Sequence, residues 1–427
     1  MAVPDSNTQA LQNWAGNLVY GTSSLFRPET LEEARELVSR LDSFRVLGSG
    51  HSFNEIANCS TNLISLGKLD QVVELDSERG TVTIEGGMRY GPLCQFLHEN
   101  GYALPNLASL PHISVAGACA TATHGSGNGN GNLATAVSGI EMITTDGEIV
   151  SFSRDEDPTE FSGTVVGLGA LGLVSKLTLD LRPTFEVAQT VYQNLPLTQL
   201  LENFDDITSQ GYSVSLFTRW QAAKINQVWI KRKLTGNDHA ELDTTLHRAT
   251  LAIEQLRPVG DSVENNCTLQ MGIPGPWHER LPHFKMEFTP SHGQELQSEY
   301  FAPRQYGLSA IEAIHRIGSM FDSQLLICEI RTIAADDLWM SPCYQQDCVA
   351  IHFTWKRNWL EVRPLLSHIE KALAPFEARP HWGKLFTAPP DLVKSLYPKR
   401  SSFCDLAERL DPKQKLRNEF LNTFVFD

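Results

Sequence analysis

Residues 46–58 read VLGSGHSFNEIAN, and Gly48, Ser49, Gly50, His51 and Ser52 crowd two glycines, an imidazole and two hydroxyls into one short loop. Backbone N–H groups approach a phosphate closely only where no Cβ intervenes, so such a loop either turns the chain or holds a ligand. On residue type alone His51 fits both readings, turn residue or cofactor handle. The loop lacks the Lys followed by Ser or Thr that ends a P-loop, so ATP hydrolysis is not indicated. A formal GxGxxG occurs at residues 167–172, GLGALG, but LVSKLTLDLRP follows it with strand-like spacing of Val174, Leu177, Leu179 and Leu181. A dinucleotide fingerprint must open a helix instead, and an acidic residue about twenty positions on is missing. The third glycine-rich stretch, residues 104–132, has almost no long side chains; Gly117, Ala118, Ala120, Thr121, Ala122 and Thr123 leave the backbone nearly bare. Its bland reading is a surface loop. Its Ala and Val content, with no proline from 112 to 124, suits a flat polyphosphate-bearing ligand better than a linker.

Ionisable groups cluster in two later segments. In LLICEIRTI, strand periodicity puts Glu329 and Arg331 on one face with Leu325, Ile327 and Ile333, and Leu326, Cys328 and Ile330 on the other. In VAIHFTWK, His352 and Thr354 share a face, opposite Val349, Ile351, Phe353 and Trp355. Each strand is apolar behind and ionisable in front. That front is either an ordinary solvated face or the wall of a partly covered cavity. In RPHWGKLF, Lys384 stands among Trp382, Leu385 and Phe386, as a snorkelling lysine or as an ammonium aimed into a site. The histidines show no HExxH or other metal-ligand spacing, so no metal is expected.

The elements that must carry these groups are legible in outline. Residues 27–47 open with a Pro and a Thr30/Glu33 capping box, then repeat Leu31, Ala34, Leu37, Val38 and Leu41 at helical spacing before a strand. Residues 90–104 read as a helix from near Pro92 to Gly101, and residues 139–153 as two alternating runs around Asp146-Gly147, a hairpin. Beyond Pro183 longer strands alternate with helices such as NWLEVRPLLSHIEKALAPF, a second unit built on an antiparallel sheet.

The totals bound the partners. A chain of 427 residues implies two to three domains, and 35 Lys plus Arg against 50 Asp plus Glu gives a net charge of −15. That balance argues against nucleic acid and anionic membrane as partners. No run of 18 apolar residues appears, so no membrane span is expected. The first twenty residues lack a basic-then-apolar secretory pattern, and the eight Cys are scattered, the closest pair being Cys343 and Cys348. Unpaired thiols in a cytoplasmic protein follow from that usage, and a monomer is expected because no long exposed apolar stripe is visible.

Taken together, RVLGSGHSFNEIA, LASLPHISVAGACATATHGSG, VVGLGALGLVSKLTLD, EIRTI, IHFTW and HWGKLF resemble, in order, the vanillyl-alcohol-oxidase superfamily, and within it the alditol (xylitol) oxidases. The resemblance implies an α+β fold. Residues 1–184 would form a two-part FAD-binding domain and residues 185–375 an α/β substrate-binding cap on a mainly antiparallel sheet. Residues 376–427 would pack back on the FAD domain and complete the active site. It implies one FAD per chain, attached covalently through His51, with Val46, Leu47, Gly48, Ser49, Gly50 and Ser52 around the pyrophosphate. Ser109, Ser114, Gly117, Ala118, Cys119, Ala120, Thr121, Val174 and His381 would complete the cofactor site. Glu329, Arg331, Thr354, Lys384 and Ser109 would bind a polyol, with His352, Lys384 and Arg331 catalytic. The implied reaction takes a terminal primary alcohol of a xylitol- or sorbitol-type alditol to the aldehyde, by hydride transfer to flavin N5 and reoxidation by O2 to hydrogen peroxide. An aldonolactone oxidase or dehydrogenase is the alternative, and a non-catalytic carbohydrate-binding protein on the same fold a distant one.

Overall fold

Helix Leu31–Arg40 starts where its capping sequence says it should: Thr30 Oγ1 accepts from the N–H of Glu33 at 3.1 Å. The reciprocal bond goes one residue further out than a standard box, from the N–H of Glu29 to the Glu33 carboxylate at 2.9 Å. Ala34, Leu37 and Val38 of this helix are buried. Strands Leu25–Phe26, Leu63–Ile64 and Arg45–Val46 form a small parallel sheet, so the glycine loop after Val46 leaves from a strand end.

The computed structural model describes residues 10–234, 243–259, 266–286 and 293–426. Among these, a five-stranded antiparallel sheet runs in the order Val72–Asp76, Thr81–Glu85, Leu173–Asp180, Val137–Ile143, Ile149–Ser153, the last two being the hairpin expected around Asp146-Gly147. The helix expected from near Pro92 begins two residues earlier, at Tyr90, and ends at Glu99, with Gly101 beyond it at φ +82°. In strand Leu173–Asp180, Leu173, Ser175, Leu177 and Leu179 point into the core. Val174 faces the other way, because alternate residues of a strand occupy opposite faces. The stretch read as bare loop contains a short helix, Val115–Ala120, whose small residues let it sit close under its neighbours. Trp382, Phe403, Leu406, Phe420 and Leu421, from the end of the chain, lie in the same core as Val82, Ile84 and Leu177.

The second half is built on one large antiparallel sheet. Its central order is Glu186–Pro196, Lys224–Lys233, Ser213–Thr218, Leu325–Ile333, Cys348–Lys356, Glu295–Pro303. One face packs on helices Gly307–Ile317 and Trp359–Leu373, burying Cys328, Ile330, Ile351, Phe353 and Trp355 against Ile311, Ile314, Leu366 and Ile369. Glu329, Arg331, His352 and Thr354 therefore stand on the face turned toward the first half. No described helix is long and apolar enough to cross a membrane.

Candidate functional site

Register brings the ionisable groups into one row. His352 is paired across the strands with Glu329 on one side and Glu299 on the other. This row forms one wall of a cavity of about 760 Å³; the glycine loops form the opposite wall. All the residues expected to bind cofactor or substrate line it: the loop of residues 46–52, Ser109, Ser114, residues 117–121, Val174, Glu329, Arg331, His352, Thr354, His381 and Lys384.

The wall of strands is a buried charge network. Glu299 is fully buried and takes a hydrogen bond of 2.6 Å from Arg331 Nη2 and another of 2.6 Å from Lys384 Nζ, while His124 Nε2 lies 3.1 Å from it. Burial alone would raise the Glu299 carboxyl, but Lys384, His124 and Arg331 hold it well below the usual carboxylate range. Glu329 accepts at 2.8 Å from His283 Nε2, and Arg331 Nε lies 3.6 Å away. Behind His283, Lys231 Nζ donates to Nδ1 at 3.2 Å, to the Pro282 carbonyl at 3.2 Å and to the Leu281 carbonyl. An ionised carboxylate only accepts, so His283 carries its proton on Nε2, facing Glu329, and Nδ1 is left as the acceptor for Lys231. Burial and Lys231 push His283 down to about 4, which keeps it neutral at neutral pH.

His352 sits between the two carboxylates. Lys384 Nζ is 3.3 Å from its Nδ1 and Thr354 Oγ1 is 3.4 Å from its Nε2. An ammonium only donates, so Nδ1 holds the lone pair and Nε2 the proton. Burial, then Lys384, lowers the imidazole well below its ordinary value, so the ring is neutral. Lys384 does not snorkel: burial lowers its ammonium, the Glu299 carboxylate opposes that, and Nζ points at Glu299. Its loop is fixed by Asn54, whose Nδ2 donates to the Trp382 carbonyl at 2.8 Å and the Lys384 carbonyl at 2.7 Å. Residues beside His51 thus set the position of the lysine.

The loop wall fits a dinucleotide. An added Cβ at Gly48 would lie 2.5 Å, and one at Gly117 2.6 Å, from Ser114 Oγ, and that buried hydroxyl has no hydrogen-bond partner among the described residues. Two glycines around an unsatisfied hydroxyl make a cradle shaped for phosphate oxygens. His51 Nδ1 is 3.0 Å from the Ser49 carbonyl, and burial pushes the imidazole down to about 4, leaving a neutral ring nitrogen. His381 Nδ1 accepts from the N–H of Gly383 at 2.9 Å.

Sequence reading missed Glu299, His283, Lys231 and Trp14. For Glu299 a signal existed: in ELQSEYFAP, Glu295, Gln297 and Glu299 share one face of a strand, as Glu329 and Arg331 do. His283 and Trp14 sit in irregular segments, where no periodicity marks a side chain's direction.

Comparison with known proteins places this geometry. Residues 22–153 match a family model described as an FAD binding domain, and residues 289–424 one described as D-arabinono-1,4-lactone oxidase. The solved structure of cholesterol oxidase from B. sterolicum aligns with a TM-score of 0.76 over 98% of this chain and 96% of that one; at 13% identity it shows a shared fold. The matched FAD-binding region, the shared fold and the glycine cradle define an FAD-binding flavoprotein. An alditol oxidase from a Streptomyces species is 46% identical over 97% of this chain and 99% of its own length. L-gulono-1,4-lactone dehydrogenase of Mycobacterium tuberculosis is 27% identical over 96% and 97%, and L-gulonolactone oxidase of Mus musculus 25% identical over 97% and 98%. The chain belongs to the alditol oxidase family.

Proposed function

We propose that the protein oxidises the terminal primary alcohol of xylitol- or sorbitol-type alditols to the aldose, with His51 as the covalent attachment point of FAD. The observation that carries this reading is the neutral His352, flanked by Lys384 and Arg331, in the same cavity as the glycine cradle. When bound, the flavin supplies the hydride acceptor at N5 and delivers two electrons to O2, giving hydrogen peroxide.

The chain's own residues handle the proton and the hydroxyls. A substrate hydroxyl that replaces the Lys384 N–H at His352 Nδ1 gives up its proton to that nitrogen. The Arg331 guanidinium and Lys384 ammonium stabilise the developing alkoxide in a site shielded from water. Glu329, oriented by His283, accepts from further hydroxyls, and Thr354 and Ser109 hold others; a carboxylate and hydroxyls are the partners that a row of O–H groups needs. The cradle residues 46–52 and 117–121 with Ser114 would hold the pyrophosphate, and Val174 and His381 would touch the cofactor elsewhere. We read residues 1–184, 185–375 and 376–427 as cofactor domain, cap and closing segment, supported by the two-sided cavity and by the shared core of the chain's end. We also read the protein as a cytoplasmic monomer, supported by eight free thiols, seven of them buried.

The test is peroxide release in oxygenated buffer with xylitol or sorbitol against L-gulono-1,4-lactone. Turnover of the polyols well above the lactone is the expected result, and preference for the lactone overturns the substrate assignment. The purified protein should be yellow, and the colour should stay in the pellet after acid precipitation.

A further inference from the structure

Residues 11–20 lie outside both matched family regions, 22–153 and 289–424, yet they form a turn laid over the His51 loop. Asn13 Nδ2 donates to the Ser52 carbonyl at 2.9 Å, Asn17 Nδ2 to the Phe53 carbonyl at 2.8 Å, and the Trp14 N–H to the Gly50 carbonyl at 2.8 Å. The same turn is held from the cap side: Gly293 N–H donates to the Trp14 carbonyl at 3.2 Å, and the Arg357 guanidinium donates to the Gly16 carbonyl. Between these ties the Trp14 indole stacks on the His51 imidazole, with ring centroids 5.0 Å apart and planes at 17°. Space on the outer side is tight, since an added Cβ at Gly293 would come 2.5 Å from the Trp14 ring.

An imidazole on a small-residue loop is free to turn about two side-chain torsions, and a bond to another ring needs one orientation. Stacking fixes the plane of the His51 ring, and the 3.0 Å contact of Nδ1 with the Ser49 carbonyl fixes its rotation within that plane. We propose that Trp14 is the positioning residue for flavin attachment, presenting the His51 imidazole to the cofactor in the one orientation that forms the link. This rests on the proposed covalent bond at His51. The link forms as one C–N bond at the expense of one imidazole N–H and one C–H of the flavin methyl group. Two protons and two electrons leave, and O2, already the oxidant of the proposed reaction, takes them up as hydrogen peroxide. Holding reacting atoms in orientation is worth orders of magnitude in rate, so a ring left unstacked should react incompletely.

The test compares wild type, Trp14→Ala, Trp14→Leu and Trp14→Phe, each purified as holoprotein, acid-precipitated, and assayed for flavin absorbance in pellet and supernatant. Wild type and Trp14→Phe should keep their flavin in the pellet. Trp14→Ala and Trp14→Leu should release at least ten-fold more into the supernatant than wild type while remaining yellow and folded before acid. Trp14→Leu keeps apolar bulk, so it reads out the flat ring even if the alanine variant fails to fold. Pellet-bound flavin at the wild-type level in Trp14→Leu overturns the role of Trp14 and leaves the His51 link intact. Release from wild type itself overturns the link, and this role with it.

Discussion

Lys384 Nζ lies 2.6 Å from Glu299 Oε2, joining the loop after Arg379–Pro380 to the strand Glu295–Pro303 through a carboxylate with no solvent exposure. The same carboxylate binds Arg331, so one buried anion keeps two cations beside His352. Removing it would leave the buried Lys384 without its carboxylate and Arg331 with only Glu329, 3.6 Å from its Nε. Glu299→Gln should therefore destabilise the fold by about 3–5 kcal/mol, and Glu299→Gln/Lys384→Met should recover part of that loss. Denaturant unfolding of the two variants measures it; a single variant as stable as wild type would show that the network is solvated.

Lys384 also lowers the basicity of His352. With the neutral imidazole as proton acceptor, activity is lost only as pH falls to where the ring protonates, well below the ordinary histidine value. Lys384→Met removes that cation and leaves Glu299 facing the ring, and both changes favour the protonated form. The acid limb of the kcat/KM profile should move to higher pH. An unmoved limb would take the proton-accepting role away from His352.

His352→Ala should slow flavin reduction under anaerobic conditions by roughly 10²–10⁴-fold, the usual worth of a positioned proton acceptor. Stopped-flow bleaching of the flavin by xylitol reads this directly, and a wild-type rate would reassign the acceptor.

Lys231 makes stability depend on pH. Burial, its largest influence, lowers the ammonium to about 7. Between there and the ordinary lysine value of about 10.4 the unfolded chain binds more protons than the folded one, so stability rises with pH across that window. The penalty is complete below about 7. The stability of Lys231→Met minus that of wild type should decline across the window; a constant difference in denaturant titrations would mean that Lys231 keeps its proton in the fold.

Gly48→Ala puts a methyl group against Ser114 Oγ, into the space assigned to phosphate. Flavin content, read as the visible-to-280 nm absorbance ratio, should fall several-fold with the melting temperature of the apoprotein little changed. Full occupancy in this variant would move the pyrophosphate elsewhere along the loop.

How much of this was legible depended on how local the cause was. The cradle could be read because glycine and alanine restrict what a backbone can lie against, and that restriction is written residue by residue. The helix at Leu31–Arg40 and the hairpin at Asp146-Gly147 followed from capping and turn chemistry of the same local kind. The helix Val115–Ala120 escaped because its small residues carry no apolar periodicity. Val174 and Leu177 stand three positions apart, so alternation alone puts them on opposite faces; the fold decided only which of those faces is the core.

By itself the sequence determined the glycine loops, the alternation that puts Glu329 with Arg331 and His352 with Thr354, and the excess of acidic residues. Tertiary structure decided that these faces form one wall of a cavity, because strand pairing sets His352 between Glu299 and Glu329, residues 53 and 23 positions away in the chain. It also decided which lysine points inward and which indole covers His51. Those outcomes depend on contacts between distant segments, and no local spacing encodes the distance across a fold.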